Sequence, residues 1–147
     1  MHVLSAVLIG IFMVGIPIAF GISSVYIGSQ NMNTLCDKTV SSWFLSLSTW
    51  LIVYGSITLF YGVLSVATLT LWITQHNSFS GLYLGTVIPI GLFMFAWNIV
   101  GAVALFRDAY PCQTQAYSLW AMVLAVLIIQ WIGYVFSGVI SKTTKSK

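Results

Sequence analysis

Charged side chains are nearly absent from this chain. Of its 147 residues, five are Lys or Arg and two are Asp or Glu, so that 5% of the sequence is charged. Soluble domains carry charge on roughly a quarter of their residues. This sequence therefore lacks the means to cover a water-facing surface, and we expect a lipid bilayer to be its solvent.

The few charges are confined to three places along the chain. They are Asp37 with Lys38, Arg107 with Asp108, and the terminal lysines Lys142, Lys145 and Lys147. Lysines at the end of a membrane chain are explained by attraction to anionic headgroups. Nucleic-acid binding needs several converging cations, so no nucleic-acid partner is expected.

Patterns that carry catalysis are also missing. The sequence contains no GxSxG, HExxH, GxxxxGK or paired-carboxylate motif. His2 and His76 have no acidic or thiol neighbour in sequence, and we interpret both as solvated. Two cysteines without a nearby histidine are a poor metal site. We expect no catalytic residue, no metal and no cofactor, and hence a protein that is not an enzyme.

Long apolar runs fill the uncharged stretches. They cover residues 3–27, 43–74, 82–106 and 119–140, and a membrane-spanning helix needs about 20 such residues. The runs lack the alternating polarity of barrel strands, and the first lacks the basic start and short core typical of a signal peptide. The sequence predicts an all-α membrane protein, a bundle of four transmembrane helices in one domain covering residues 1–147.

Within these runs, three residue types suggest local structure. Pro17 and Pro89 predict helix kinks, because proline removes an intrahelical hydrogen bond. Tryptophans near the ends of the second run are interpreted as interfacial anchors, namely Trp43, Trp50 and Trp72. Small residues suited to close helix contact are Gly10, Gly15, Gly55, Gly62, Gly81, Gly85, Gly91, Ala96, Gly101 and Ala102.

An even number of spans places both termini on one side of the membrane. The loops 28–42 and 107–118 then share the other side. Three tail lysines have no acidic neighbour, whereas Lys38 and Arg107 each adjoin an aspartate. This excess of positive charge favours cytoplasmic amino and carboxyl termini.

The two cysteines fall one in each loop of the opposite side. Cys36 and Cys112 are the only cysteines, and in an oxidising compartment we expect a disulfide between them. The loop it would close is long enough for a stabilisation of roughly 4 kcal/mol by chain-entropy estimates. Two alternatives stay open, namely free thiols in a reducing lumen and palmitoylated cysteines.

Three large polar side chains lie deep within the runs. Tyr54, Asn98 and Gln130 fall at depths from which they can reach a common layer of the bundle. Buried amides usually bond across helices and contribute about 0.6 kcal/mol each. The competing interpretation is a hydrophilic path for an ion or small solute, although no ionisable Asp, Glu, Lys, Arg or His lies at that depth.

The order of these features resembles a known family. The segment Ala96-Trp97-Asn98-Ile99-Val100-Gly101 followed by Cys112, with Tyr54 and Gly55 in the second run, is similar to the third span and loop of the transmembrane-protein-272-like family of small four-span membrane proteins. The likeness covers roughly residues 14 to 135. It implies a membrane location and no established biochemical activity.

The sequence therefore favours a non-enzymatic structural or assembly component of a membrane or larger complex, and a virion membrane is one setting for it. The expected partners are membrane lipids and either other membrane proteins or further copies of the chain. The alternative function is an oligomeric channel or passive transport protein for ions or small solutes, lined by serine, threonine, Asn98 and Gln130.

Overall fold

The structure, a computed structural model, describes residues 14–36, 45–74 and 80–145, and within them the side chains outside 68–84, 87 and 136–145. The long helices are α1 (Ile16–Asn31), α2 (Leu47–Thr74), α3 (Ser80–Val103) and α5 (Tyr117–Lys145), with a short α4 (Cys112–Gln115) before the last. Across these described ranges no strand occurs. The all-α prediction is confirmed. Helices are the expected outcome, because an apolar chain without water must satisfy its backbone internally.

Among the described residues, three helices are long and apolar enough to cross a membrane. Their candidate spans are Leu47–Ala67, Ile88–Asp108 and Tyr117–Val135, with mean hydropathies of 1.7, 2.0 and 2.0. They correspond to the second, third and fourth predicted runs. In the first run, residues 3–13 lie outside the described residues, and α1 covers the part that follows.

Helix ends differ from the predicted boundaries for local reasons. α2 begins at Leu47 because the Ser46 hydroxyl accepts a hydrogen bond from the Thr49 backbone N–H at 3.3 Å, as an N-cap does. α3 runs into a π-helical turn, Ala104–Asp108, closed by the Ala109 N–H on the Ala104 carbonyl at 2.8 Å. α5 continues beyond the predicted end at residue 140, since lysine and threonine extend a helix into the headgroup region at modest cost.

α1 and α2 form a tight antiparallel pair. A Cβ placed on Gly55 would lie 2.7 Å from the Gly21 carbonyl oxygen, and one on Gly62 would lie 2.9 Å from the Ile18 side chain. Nearer the other end, a Cβ on Gly28 would meet the Ser48 carbonyl oxygen at 3.0 Å. The two backbones therefore approach as closely as glycine allows, which is how helices associate where lipid removes the hydrophobic drive.

The small residues named from the sequence divide into two groups. Gly55, Gly62 and Gly101 occupy close contacts, as predicted. Gly85 and Gly91 do not, because a Cβ on either meets nothing within 4 Å. The contact residue Gly21 was missed, although its spacing of seven from Gly28 repeats the spacing of Gly55 and Gly62.

The buried core lies toward the end that carries the cysteines. Its apolar members come from all parts of the chain that approach this end: Cys36, Leu47, Trp50, Leu51, Tyr54, Ala104, Leu105, Ala109, Cys112, Ala116, Leu119, Val123, Val126 and Leu127. We call this region the disulfide half. Many apolar side chains farther along the helices are exposed, among them Phe60, Leu92 and Val135.

Candidate functional site

The polar residues predicted to share a layer are brought together between three helices. Asn98 of α3 is buried, and its side-chain N–H donates to the Gln130 Oε1 of α5. This hydrogen bond satisfies one donor of Asn98 and the acceptor of Gln130, which would otherwise be unpaired in an apolar environment. The second acceptor, Asn98 Oδ1, is buried and has no partner among the described residues.

Tyr134 connects Tyr54 to this amide pair. Its phenol interacts with the Asn98 side chain and, electrostatically, with Tyr54 of α2. The Tyr134 ring is held edge-to-face by Phe95 at 5.4 Å and by Trp131 at 6.3 Å between centroids. Sequence reasoning did not single out Tyr134. The available signal was its spacing of four residues from Gln130, which puts both side chains on one face of a helix.

A cleft opens beside this polar cluster. It has a volume of about 350 Å³, and its lining residues are Pro17, Tyr54, Ile57, Thr58, Tyr61, Ile90, Gly91, Met94, Gln130 and Tyr134. None of these residues is ionisable near neutral pH, so the cleft offers hydrogen bonds and apolar contact. Tyr54 belongs both to the core and to the lining, and the other lining residues of each helix are farther from the cysteines than its core residues are. We call this region the cleft half.

The disulfide half is closed by a reciprocal pair of tryptophans. The Trp50 indole N–H donates to the Trp97 carbonyl at 2.8 Å, and the Trp97 indole N–H donates to the Trp50 carbonyl at 3.3 Å. The Trp50 ring is fully buried and lies where a Cβ on Gly101 would be. The interpretation of Trp50 as an interfacial anchor is therefore wrong, because its donor finds an acceptor inside the bundle. Trp43 and the Trp72 side chain lie outside the described residues.

Cys36 and Cys112 meet at this closed end. Their sulfur atoms are at disulfide-bonding distance and their Cα atoms are 5.3 Å apart, across 76 positions of sequence. This is the pairing that the sequence predicts. It links the segment that follows α1 to the short α4 that precedes α5.

The two prolines and one charged pair named from the sequence lie in α1, in α3 and in the π-helical turn that follows α3. Pro17 lies in the first turn of α1, where proline sacrifices little hydrogen bonding, and Pro89 lies inside α3. Their kinks remain predictions. Arg107 pairs with Asp108 at 2.8 Å on an exposed surface, an arrangement worth little to stability. His2 and His76 lie outside the described residues.

The polar cluster and the cleft offer hydrogen bonds and apolar contact. Within residues 14–36, 45–74 and 80–145, no group of three His, Cys, Asp or Glu side chains is placed to hold a metal ion. The cluster instead presents hydroxyl and amide groups next to an apolar cleft, which can orient a molecule by hydrogen bonding.

No family, curated protein or solved structure matches this chain. The resemblance to the transmembrane-protein-272-like family therefore stays a prediction.

Proposed function

We propose that this chain is a multi-pass membrane protein that crosses the bilayer four times. Three apolar helices of membrane length support this. The fourth crossing is supported by α1, which runs antiparallel to α2 with glycine contacts from Gly62 at one end to Gly28 at the other. A helix that follows a membrane span at backbone contact occupies the same depth of the bilayer.

The proposed orientation places the disulfide half away from the cytoplasm. A disulfide persists in oxidising compartments such as the cell exterior or the secretory lumen, and the paired cysteines are consistent with that side. The lysine tail then lies in the cytoplasm with the amino terminus, which agrees with the distribution of positive charge.

Single-cysteine reporters test this layout. In a cysteine-free variant, a single cysteine replaces the exposed Leu35, the exposed Tyr110 or Ser141, because Cys36 and Cys112 themselves are buried. Sealed right-side-out vesicles are then treated with an impermeant maleimide. We expect labelling at 35 and 110 and protection at 141 until the vesicles are opened. Labelling of 35 and 110 from opposite sides would contradict the topology, and release of the chain by alkaline carbonate would contradict membrane insertion.

The role we propose is a non-enzymatic structural or assembly component that acts through neighbouring proteins or further copies of itself. The observation that carries it is the filled disulfide half, where Trp50, Leu105 and Leu119 are fully buried between the helices. A polar path from the cleft to the cysteine-bearing end would have to pass through these side chains. A single bundle of this kind is better suited to shape and anchoring than to conduction.

Two measurements test that role, one in native membranes and one on the purified chain. Cross-linking in the native membrane, before mild solubilisation, should yield discrete complexes larger than the 16.1 kDa chain. The Cys36→Ser/Cys112→Ser variant is the control, because complexes that need the native bundle should decrease while non-specific trapping should not. Proteoliposomes of the purified chain should show no ion flux above empty vesicles. The proposal would be contradicted by a chain that stays monomeric after cross-linking. It would also be contradicted by an ion flux in the wild-type chain that Gln130→Leu abolishes.

A further inference from the structure

The cleft has the size and lining of a small-molecule site. Its volume of about 350 Å³ falls within the roughly 300–1,000 Å³ of ligand pockets in proteins. Apolar groups from three helices form much of its wall, including Ile57, Ile90 and Met94. The outer faces of the same helices are apolar and exposed at Phe60, Ile88 and Leu92. A molecule that enters from the bilayer would therefore meet apolar surface along its route.

Two hydrogen-bond donors in the lining have no acceptor within the described part of the chain. The Tyr54 side chain is only 7% exposed, yet its hydroxyl has no hydrogen-bond partner among the described residues. Gln130 accepts from Asn98 through Oε1, and its own N–H₂ group has no partner in the same ranges. Leaving a donor unpaired in an apolar setting costs about 1–3 kcal/mol. Both donors would be satisfied by one acceptor oxygen placed in the cleft.

The absence of ionisable side chains from the lining sets the charge of the ligand. The ten lining residues include no Lys, Arg or His that could neutralise a phosphate or carboxylate, and no Asp or Glu that could bind an amine. An ion at this depth would therefore be desolvated without compensation. A neutral molecule that places one oxygen in the cleft avoids that cost.

We propose that the cleft binds one uncharged lipid, whose hydroxyl or carbonyl oxygen accepts hydrogen bonds from Tyr54 and Gln130 and whose apolar body lies along Ile57, Ile90 and Met94. Sterols and long-chain quinones both have this chemistry. The proposal rests on the membrane location proposed above, and it adds a ligand to a protein otherwise assigned a structural role.

Gly91 offers a way to block the cleft without disturbing the helices. It lines the cleft, and a Cβ placed on it meets nothing within 4 Å. Gly85 of the same helix also faces open space, and it is not part of the lining. Gly91→Leu should therefore fill the cleft, while Gly85→Leu adds the same side chain and the same gain in helix propensity elsewhere.

The experiment uses the full chain in phosphatidylcholine nanodiscs with a photoactivatable sterol in one arm and a photoactivatable long-chain quinone in the other. We expect saturable labelling in one arm, competed by the unlabelled lipid, and mapped to α2, α3 or α5 beside the cleft. Labelling should be lost in Gly91→Leu and kept in Gly85→Leu. Tyr54→Phe should weaken binding about fivefold, as expected for one lost hydrogen bond, while Tyr117→Phe, an exposed tyrosine at the disulfide end, should not.

Other outcomes would overturn the proposal. Equal labelling of the wild-type chain, Gly91→Leu and Gly85→Leu would mean that the probes report only lipid around the bundle. Labelling that no unlabelled lipid competes would mean the same. Thermal unfolding of each variant verifies that it is folded, and carbonate extraction reports membrane insertion independently of ligand binding.

Discussion

The two halves of the bundle are formed by the same apolar helices, yet one is closed and the other is open. In the disulfide half, the Trp50 ring covers Gly101 and a covalent link joins the loops. In the cleft half, Gly85, Gly91 and Gly133 have no neighbour within 4 Å of a Cβ position.

In the proposed bilayer setting, apolar side chains gain little by leaving lipid for protein, because hydrocarbon surrounds them in both places. Closure then depends on matched shapes, on hydrogen bonds and on cross-links. Trp50 supplies two of these at once, since its ring fits over a glycine and its N–H binds the Trp97 carbonyl.

Removing the disulfide should have the largest effect on this contrast. Cys36→Ser, Cys112→Ser and the double variant should each lose about 4 kcal/mol of unfolding free energy, because the unfolded chain is no longer constrained. Thermal unfolding in detergent measures the loss. Reductant should destabilise the wild-type chain and leave the double variant unchanged. Equal stability of the wild type with and without reductant would show that no disulfide stabilises the chain.

Gly101→Ala should come next, with a cost of about 1–3 kcal/mol for overpacking. The new methyl group would overlap the Trp50 indole, which is buried and cannot move freely. Gly85→Ala is the matched control on the same helix, and it should be neutral or slightly stabilising. Similar unfolding free energies for the two variants would mean that the halves are packed alike.

Trp50→Phe should show whether the Trp50 indole causes the destabilisation expected for Gly101→Ala. The smaller ring loses the hydrogen bond to Trp97, at a cost of about 0.6–1.7 kcal/mol in a membrane protein, and it opens space over Gly101. The double variant with Gly101→Ala should therefore be more stable than the sum of the two changes predicts, with a coupling of about 0.5–3 kcal/mol. Strict additivity in a double-mutant cycle would show that the two residues do not share this contact.

The smallest effect is expected in the polar layer between the halves. Gln130→Leu should cost about 1 kcal/mol or less, as found for hydrogen bonds between membrane helices. Asn98→Leu should cost a similar amount, and the pair of changes together should cost less than their sum. A loss of several kcal/mol from Gln130→Leu would mean that the polar layer, and not the disulfide half, holds the bundle together.

The approximate positions of the helices could be predicted from the sequence because each apolar run had one way to satisfy its backbone. The polar residues Asn98 and Gln130 were predictable for a related reason, since amides deep in apolar runs seek each other. Tyr134 was missed, and Trp50 was assigned to the wrong environment. Both errors concern residues with an apolar body and one donor, whose position depends on which acceptor is near.

Composition and backbone hydrogen bonding are local properties, and they suffice to predict that this protein is helical and apolar. The pairing of Cys36 with Cys112 is different, because residues 76 positions apart meet only through the fold. The same holds for the glycines that lie under a neighbouring side chain, for those that face open space, and for the cleft beside Tyr54 and Gln130. Those features depend on how helices approach each other, and in the proposed bilayer shape governs that approach more than hydrophobicity does.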